Sequence, residues 1–288
     1  MKLALGTVQF GIHYGLANIS GQITSIEAKQ ILQLAQDSGM NTLDTAIDYG
    51  NCEAIIGDFG LESWKVVTKL PFVPLDSKDL NGWVQDQVME SLKRLKQDCL
   101  YGVLLHRPQQ LLSTRGSDLY AALLSLKTEG LAHKIGISIY DPSELQCLLD
   151  AYEFDLIQAP LNILDRRLVD SGWANRLKKA GVEVHTRSVF LQGLLLMPSK
   201  ARPAKFNAWA PVWQVWDQWL AQMGLNPLEG CLSYANSIAH VDRIVIGVDS
   251  LAHLSEIIGA NKRNLPRLPI FPPLQDERLI NPATWSQL

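Results

Sequence analysis

LYGVLLHRPQQLLSTRGSDLYAALLSLKTEGLAHKIGIS, residues 100–138, contains the pattern that decides the fold. An apolar run of strand length, Leu100 to His106, precedes a polar turn and a segment, Leu119 to Leu126, whose apolar residues have helical spacing. A second apolar run, His133 to Ser138, follows. Strand, helix and strand in this order are typical of a parallel sheet with helical crossovers. The stretch therefore predicts an α/β fold.

The same alternation extends in both directions from this stretch. Six further short apolar runs precede polar turns, and each is too short for a helix. Eight parallel strands joined by helices favour a closed sheet, so we predict a single (β/α)8 TIM barrel. The further strands are predicted at Leu3 to Val8, Asn41 to Asp44, Lys65 to Lys69, Leu156 to Gln158, Val182 to Arg187 and Arg243 to Ile246.

Several crossover helices have recognisable ends. Thr24 or Ser25 is a suitable N-cap for the helix that follows, and Gly39 lies just beyond its expected end. Asp141 followed by Pro142 predicts another helix start, with aspartate as the N-cap and proline in the first helical position. These signals separate the predicted strands from the helices between them.

We expect residues 1–288 to form one domain, because no linker-like segment divides them. An insertion at about 197–225 is rich in tryptophan, which predicts a helix with a buried aromatic stripe or, alternatively, a wall of the substrate pocket. Four prolines between 266 and 273 predict an extended C-terminal tail from about 265. The tryptophans are Trp209, Trp213, Trp216 and Trp219.

Composition narrows the choice of partners and compartment. The chain is 47% hydrophobic and 19% charged, with a net charge of -3, so it lacks the basic surface that nucleic acid or an anionic membrane would need. No stretch resembles a signal peptide or reaches the length of a transmembrane helix. We expect a cytoplasmic protein, a monomer or small homo-oligomer, with a small-molecule substrate.

The cysteines give no sign of a metal or redox site. None of the four has the spacing of a zinc site or a redox pair, so we expect no metal and mostly buried, reduced thiols. They are Cys52, Cys99, Cys147 and Cys231.

Four polar residues follow three neighbouring predicted strands. Asp44 and Tyr49 follow the second strand, Lys69 ends the third and His106 ends the fourth. Asp44 alone could cap a turn, and His106 alone could be an ordinary core histidine. A buried Lys69 ammonium needs a partner, which Asp44 on the adjacent strand could supply.

Together these residues suit proton donation to a carbonyl that is being reduced. A free tyrosine has a pKa of about 10, and a nearby Lys69 cation is expected to lower the pKa of Tyr49 toward neutral pH. Tyr49 is then the general acid, while His106 orients the carbonyl oxygen. No serine triad, paired carboxylates or metal-ligand spacing forms an equally complete alternative.

LDTAIDYG at 43–50, VVTKLP at 66–71 and LLHRP at 104–108 resemble the signature segments of the aldo-keto reductase superfamily. The resemblance extends from about Leu3 to about Ala260 and matches the whole tetrad, Asp44, Tyr49, Lys69 and His106. It implies a nicotinamide-dependent aldehyde or ketone reductase with Tyr49 as the acid.

The resemblance also implies where a nicotinamide cofactor binds. Two positions depart from the family: Ile139 replaces an asparagine, and Arg187 replaces an aromatic residue that stacks on the nicotinamide. A guanidinium can also stack on a flat ring. The implied cofactor residues are Gly6, Thr7, Ser138, Gln158, Asn162, Arg187, Ser188, Gly193, Gly247, Ser250 and His253.

The segment after the last strand predicts weak choice between cofactors. Gly247, Val248 and His253 stand where many family members carry cations that bind the 2'-phosphate of NADPH. Lys262 and Arg263 could reach that phosphate by another route. We expect NADPH to bind, with NADH as a possible substitute.

The segments GTVQFGIHYGLAN and RRLVDSGWANRLKKAGVEVHTRSVFLQGLLL are similar to bacterial family members encoded among surface-polysaccharide functions. That similarity implies a nucleotide-sugar or amino-sugar carbonyl as one substrate, and a generic small aldehyde as another. A non-catalytic nicotinamide-binding regulatory subunit is an alternative that the intact tetrad disfavours. A Schiff-base lyase that uses Lys69 is a third hypothesis.

Overall fold

The computed structural model describes residues 1–261, 268–271 and 276–288, and its centre is a closed parallel barrel. Each strand pairs with the next along the chain, and the eighth pairs with the first. The predicted barrel is confirmed. The strands are β1 (Leu3–Gly6), β2 (Thr42–Asp44), β3 (Lys65–Leu70), β4 (Leu100–Leu105), β5 (Ala132–Ser138), β6 (Leu156–Pro160), β7 (Glu183–Arg187) and β8 (Arg243–Ile246).

Helices connect the strands and cover the outside of the barrel. In the described ranges the α-helices are α1 (Val8–Gly11), α2 (Ser25–Asp37), α3 (Cys52–Gly57), α4 (Leu80–Leu95), α5 (Gly116–Thr128), α6 (Glu144–Ala151), α7 (Arg167–Asp170), α8 (Trp173–Lys179), α9 (Ala210–Met223), α10 (Pro227–Ser237), α11 (Leu251–Ala260) and α12 (Glu277–Ile280). Short 3₁₀ helices lie at Pro108–Leu112, Leu194–Leu196, Ser199–Ala201, Ala204–Trp209 and Pro282–Gln287.

The structure confirms the predicted start of one helix and corrects that of another. Helix α2 begins as predicted, since Thr24 accepts a hydrogen bond from the Glu27 N–H, and Gly39 follows it with φ of +82°. The predicted start of α6, with Asp141 as N-cap and Pro142 as the first helical residue, lies two residues too early. Asp141 instead accepts from the Ser143 N–H at 2.7 Å, which closes a turn, and α6 begins at Glu144. An aspartate side chain accepts a hydrogen bond from a nearby backbone N–H both when it caps a helix and when it closes a turn, so the sequence alone does not separate the two roles.

The tryptophan stripe lies inside the protein. Helix α9 buries Trp213, Trp216 and Trp219, and the rings of the last two stack with centroids 5.5 Å apart. The Trp216 indole N–H donates to the Leu195 carbonyl at 3.2 Å. The stripe therefore anchors the loop that follows β7, and it does not line the cleft beside Tyr49. This arrangement matches the core interpretation rather than the pocket wall.

The C-terminal segment differs from the predicted extended tail. Residues 268–271 are neither helix nor strand, but α12 and the 3₁₀ helix Pro282–Gln287 follow. Asp276 accepts from the Arg278 N–H, so it caps α12 where the sequence contains no proline. Trp285 then packs against Phe206 with ring centroids 4.9 Å apart. Of the tail prolines, Pro266, Pro272 and Pro273 lie outside the described residues.

All four cysteines are free thiols, but only Cys52 and Cys231 are buried. The expectation of mostly buried thiols thus holds for half of them, because Cys147 is exposed and Cys99 is half-buried.

In the described parts of the chain, no helix combines the length and apolar character that crossing a bilayer requires.

Candidate active site

The carboxyl ends of β2, β3 and β4 bring the four predicted catalytic side chains to one end of the barrel. Asp44 is the last residue of β2 and pairs in register with Val67 of β3. Lys69 lies two residues further along β3, and His106 follows β4 directly. Tyr49 lies in the turn before α3, where its N–H donates to the Ala46 carbonyl at 3.1 Å.

Lys69 and Asp44 form a buried ion pair. The Lys69 ammonium donates to both Asp44 oxygens, at 2.8 and 2.7 Å, and to the Thr45 carbonyl at 2.9 Å. Lys69 is 2% exposed, and burial lowers its pKa while the Asp44 carboxylate opposes that change. The Gln158 amide also donates to Asp44 at 2.6 Å. All three ammonium protons therefore have protein acceptors.

Tyr49 contacts Lys69 through its ring. The Lys69 nitrogen lies 5.5 Å from the ring centroid, and among the described residues no hydrogen bond joins it to the Tyr49 hydroxyl. Burial and the Asp44 carboxylate raise the pKa of Tyr49 well above its usual range, although Arg187 acts in the opposite direction. The expectation that the pKa of Tyr49 is lowered toward neutral pH is wrong here, because burial, the largest effect, raises it and the Asp44 carboxylate raises it further.

His106 is held neutral beside Tyr49. Its ring meets the Tyr49 ring edge-on, with centroids 6.3 Å apart and planes at 80°. Burial, then the Lys69 and Arg107 cations, lower the pKa of His106 from 6.5 to about 4. At neutral pH the imidazole is thus uncharged, with one N–H that can donate to a carbonyl oxygen.

A cleft beside Tyr49 brings together several predicted cofactor residues. A cavity of about 160 Å³ is lined by Gly6, Thr7, Arg187, Ser188, Gly193 and Gly247, as well as by Asp44 and Tyr49. A second cavity of about 660 Å³ shares Phe190, Gly193, Leu196 and Gly247 with it, and His253 lines this second cavity. Since they share these residues, we treat the two cavities as one groove, which begins at Asp44 and Tyr49.

The groove walls suit a close-fitting cofactor. A Cβ on Gly247 would lie 2.7 Å from the Gln9 side chain, and one on Gly193 would lie 2.4 Å from Ala17. The Gln9 Oε1 atom is buried in the groove wall without a hydrogen-bond partner in the described structure. In the loop after β7, Ser188 and Leu191 have φ of +65° and +49°. Such strain concentrates at ligand sites.

Four of the predicted cofactor residues make other contacts. Ser138 and Gln158 are buried, and the Ser138 hydroxyl donates to the Gln158 oxygen at 3.2 Å. The Asn162 amide donates to the Ser188 carbonyl at 3.1 Å, which fixes the loop after β7. Ser250 caps α11 by accepting from the His253 N–H at 3.2 Å. Lys262 and Arg263 lie outside the described residues.

The structure also reveals groove and pocket residues that the sequence analysis missed. Asp249 lines the smaller cavity, where burial raises its pKa, and Gln9 donates to it at a distance of 3.4 Å. Tyr14 lines the same cavity, and Tyr140 lies against Arg187. Asp249 could have been found from the sequence, since it lies two residues after Gly247 in the segment where many family members bind the 2'-phosphate. Tyr14 and Tyr140 gave none, since both follow their strands within ordinary loops.

The carboxyl end of this parallel barrel carries a buried lysine–carboxylate pair, a tyrosine and a histidine. Barrel enzymes place their active sites on this face. The profile of the Aldo/keto reductase family matches residues 2–268, so this chain belongs to that family. In the described residues no three or more His, Cys, Asp or Glu side chains are grouped to hold a metal.

Individual relatives show the same likeness. A curated aldo-keto reductase of Mycolicibacterium vanbaalenii is 31% identical over 136 residues, which cover 45% of this chain and 46% of that protein. The match thus spans about half the length of that curated relative. Among solved structures, the holo form of an aldo-keto reductase from Bacillus halodurans has a TM-score of 0.73 at 20% identity, covering 92% of this chain and 88% of that one.

Proposed function

We propose that this protein is an NAD(P)H-dependent oxidoreductase that reduces an aldehyde or ketone to an alcohol, with Tyr49 as general acid. The observation that carries the proposal is the Lys69–Asp44 pair, buried directly beside Tyr49 and His106 where the groove begins. A buried ion pair has a large desolvation cost, and its presence at the strand ends favours a role beyond stability.

A nicotinamide cofactor, when bound, supplies the hydride for such a reduction. The neutral His106 imidazole donates its N–H to the carbonyl oxygen and so fixes the substrate's orientation. The raised pKa of Tyr49 keeps its hydroxyl protonated at neutral pH, so the proton is available to the developing alkoxide. The Arg187 cation, which acts to lower the pKa of Tyr49, stabilises the phenolate that this proton transfer leaves behind, and Lys69 reduces the opposing effect of the Asp44 carboxylate.

Two classes of carbonyl substrate are candidates for this reaction. Similarity of the segment 166–196 to family members associated with surface polysaccharides supports a nucleotide-sugar or amino-sugar carbonyl as one candidate. A generic small aldehyde is the other. The choice between them depends on the loops at the carboxyl end of the barrel, which set specificity in barrels of this kind.

Turnover tests the proposed reaction directly. We expect a panel of aldehydes and keto-sugars, incubated with NADPH and with NADH, to produce loss of reduced-nicotinamide absorbance in proportion to enzyme concentration. A regulatory subunit would bind cofactor without turnover. A lyase that uses Lys69 would be trapped covalently with its carbonyl substrate by borohydride in the absence of cofactor.

We expect NADPH to bind with weak preference over NADH, under roughly 50-fold in Kd, because a charge-assisted contact contributes only about 1.5 to 3 kcal/mol. His253 lines the larger of the two groove cavities, whereas Asp249 and Glu256 add carboxylates that oppose a 2'-phosphate. Quenching of tryptophan fluorescence measures both constants. Asp249→Asn should tighten NADPH binding more than NADH binding. A wild-type preference above about 1,000-fold would contradict this prediction.

A further inference from the structure

Two arginines lie against one tyrosine ring near the carboxyl ends of β4, β5 and β7. The guanidinium of Arg187 is 4.4 Å from the centroid of the Tyr140 ring, and that of Arg107 is 6.0 Å from the same centroid. Arg107 follows His106 directly, and Arg187 ends β7. Contact with a tyrosine ring holds a guanidinium by cation–π attraction, so Tyr140 positions both charges around one ring.

Neither guanidinium has an anionic partner in the described parts of the chain. Arg187 donates to two neutral oxygens, the Ile139 carbonyl at 2.9 Å and the Ser188 hydroxyl at 3.3 Å. Arg107 is exposed, and its side chain forms no salt bridge among the described residues. By contrast, Arg167, the first residue of α7, binds both Asp165 and Asp141. Arg187, which lines the smaller cavity, and Arg107 beside Tyr140 therefore retain their charge for another anion.

The carboxylate at the centre of the site does not balance these charges. Both oxygens of Asp44 are engaged by Lys69, and one of them also accepts from Gln158. The ion pair as a whole is neutral, so the two guanidiniums leave the surroundings of His106 positively charged. Consistent with this, Arg107 and Arg187 both contribute to lowering the pKa of His106.

We propose that the natural substrate carries a carboxylate or phosphate group close to its carbonyl, and that Arg107 binds this anion with Arg187 beside it. The inference rests on the proposed carbonyl reduction. A planar guanidinium binds either anion through two parallel hydrogen bonds, which fixes orientation as well as charge. Arg107 is the principal contact, because Arg187 lines the groove in which the cofactor is expected to bind.

Paired substrates that differ in one charge test this inference. 4-Carboxybenzaldehyde is compared with its methyl ester, and glyceraldehyde 3-phosphate with glyceraldehyde, so that the two arms distinguish carboxylate from phosphate. We expect the charged member of at least one pair to have a kcat/KM higher by about 10- to 100-fold, as charge-assisted hydrogen bonds imply. The advantage should shrink as ionic strength rises.

Arg107→Gln separates substrate binding from transition-state stabilisation. We expect it to remove the advantage of the charged substrate mainly through KM and to leave the neutral one nearly unchanged. An equal loss of kcat for both would assign Arg107 to the developing alkoxide and overturn the inference. Arg107→Lys should retain part of the preference. Arg176→Gln is the control, since Arg176 lies 3.9 Å from the Trp173 ring on α8, outside the groove.

A binding measurement keeps the inference independent of turnover. By calorimetry, we expect benzoate to bind the wild-type protein at least about tenfold more tightly than benzamide does, and Arg107→Gln to abolish that difference. Equal binding of the two by the wild type overturns the inference even if carbonyls are reduced. Absence of turnover with every carbonyl contradicts the proposed reaction, and the calorimetric comparison still decides about the anion.

Discussion

Tyr49→Phe lowers kcat by a factor on the order of 10² to 10⁴ and leaves cofactor Kd nearly unchanged, because only the proton donor is removed. The ring remains, so its contacts with His106 and Lys69 are preserved. Steady-state kinetics on the best carbonyl substrate and fluorescence titration of the cofactor give the two quantities.

Tyr120→Phe is the matched control for this substitution. The Tyr120 hydroxyl, on α5, donates to the Glu153 carbonyl at 2.8 Å, far from the strand ends that carry the site. We expect this variant to retain wild-type kcat. Turnover by Tyr49→Phe at the level of Tyr120→Phe would exclude Tyr49 as the general acid.

Lys69→Met reduces kcat by a similar factor, on the order of 10² to 10⁴, and also destabilises the fold. Without the ammonium, the Asp44 carboxylate faces Tyr49 unneutralised and raises its pKa further, so the proton is transferred less readily. An unpaired buried carboxylate costs about 3 to 5 kcal/mol of unfolding free energy. Kinetics and urea unfolding measure the two effects.

A double variant distinguishes the two consequences of losing Lys69. Lys69→Met combined with Asp44→Asn removes the unpaired charge, so we expect much of the unfolding free energy to return while kcat stays low. The Gln158 amide, which donates to the Asp44 carboxylate in the wild type, can still donate to the side-chain oxygen that the Asp44→Asn substitution retains. Recovery of both stability and kcat would mean that Lys69 acts only as the partner of Asp44.

The barrel and the location of the tetrad could be predicted because both depend on local patterns. Short apolar runs followed by polar residues predict strand ends, and strand ends of a parallel barrel converge. Asp44 and Lys69 also formed the expected pair, since a lysine ending a buried strand requires a nearby carboxylate.

The electrostatic details could not be predicted in the same way. The direction of the Tyr49 pKa shift depends on burial and on how completely Asp44 neutralises Lys69, and both follow from three-dimensional distances. The pairing of Gln158 with Asp44 joins β6 to β2 across the barrel interior. Tyr140 between two arginines likewise depends on loops from β4, β5 and β7, whose conformations no local pattern determines.

The two strands that close the barrel, β1 and β8, lie far apart in the sequence, so they are synthesised at different times. Leu3 pairs with Ile244, so during synthesis one edge of β1 has no partner until β8 has left the ribosome. An exposed strand edge is a template for pairing with another chain, and contacts this distant in sequence form slowly. Early pairing of β1 with β2 therefore protects only one edge of β1, and the other edge is a site for aggregation until β8 closes the barrel.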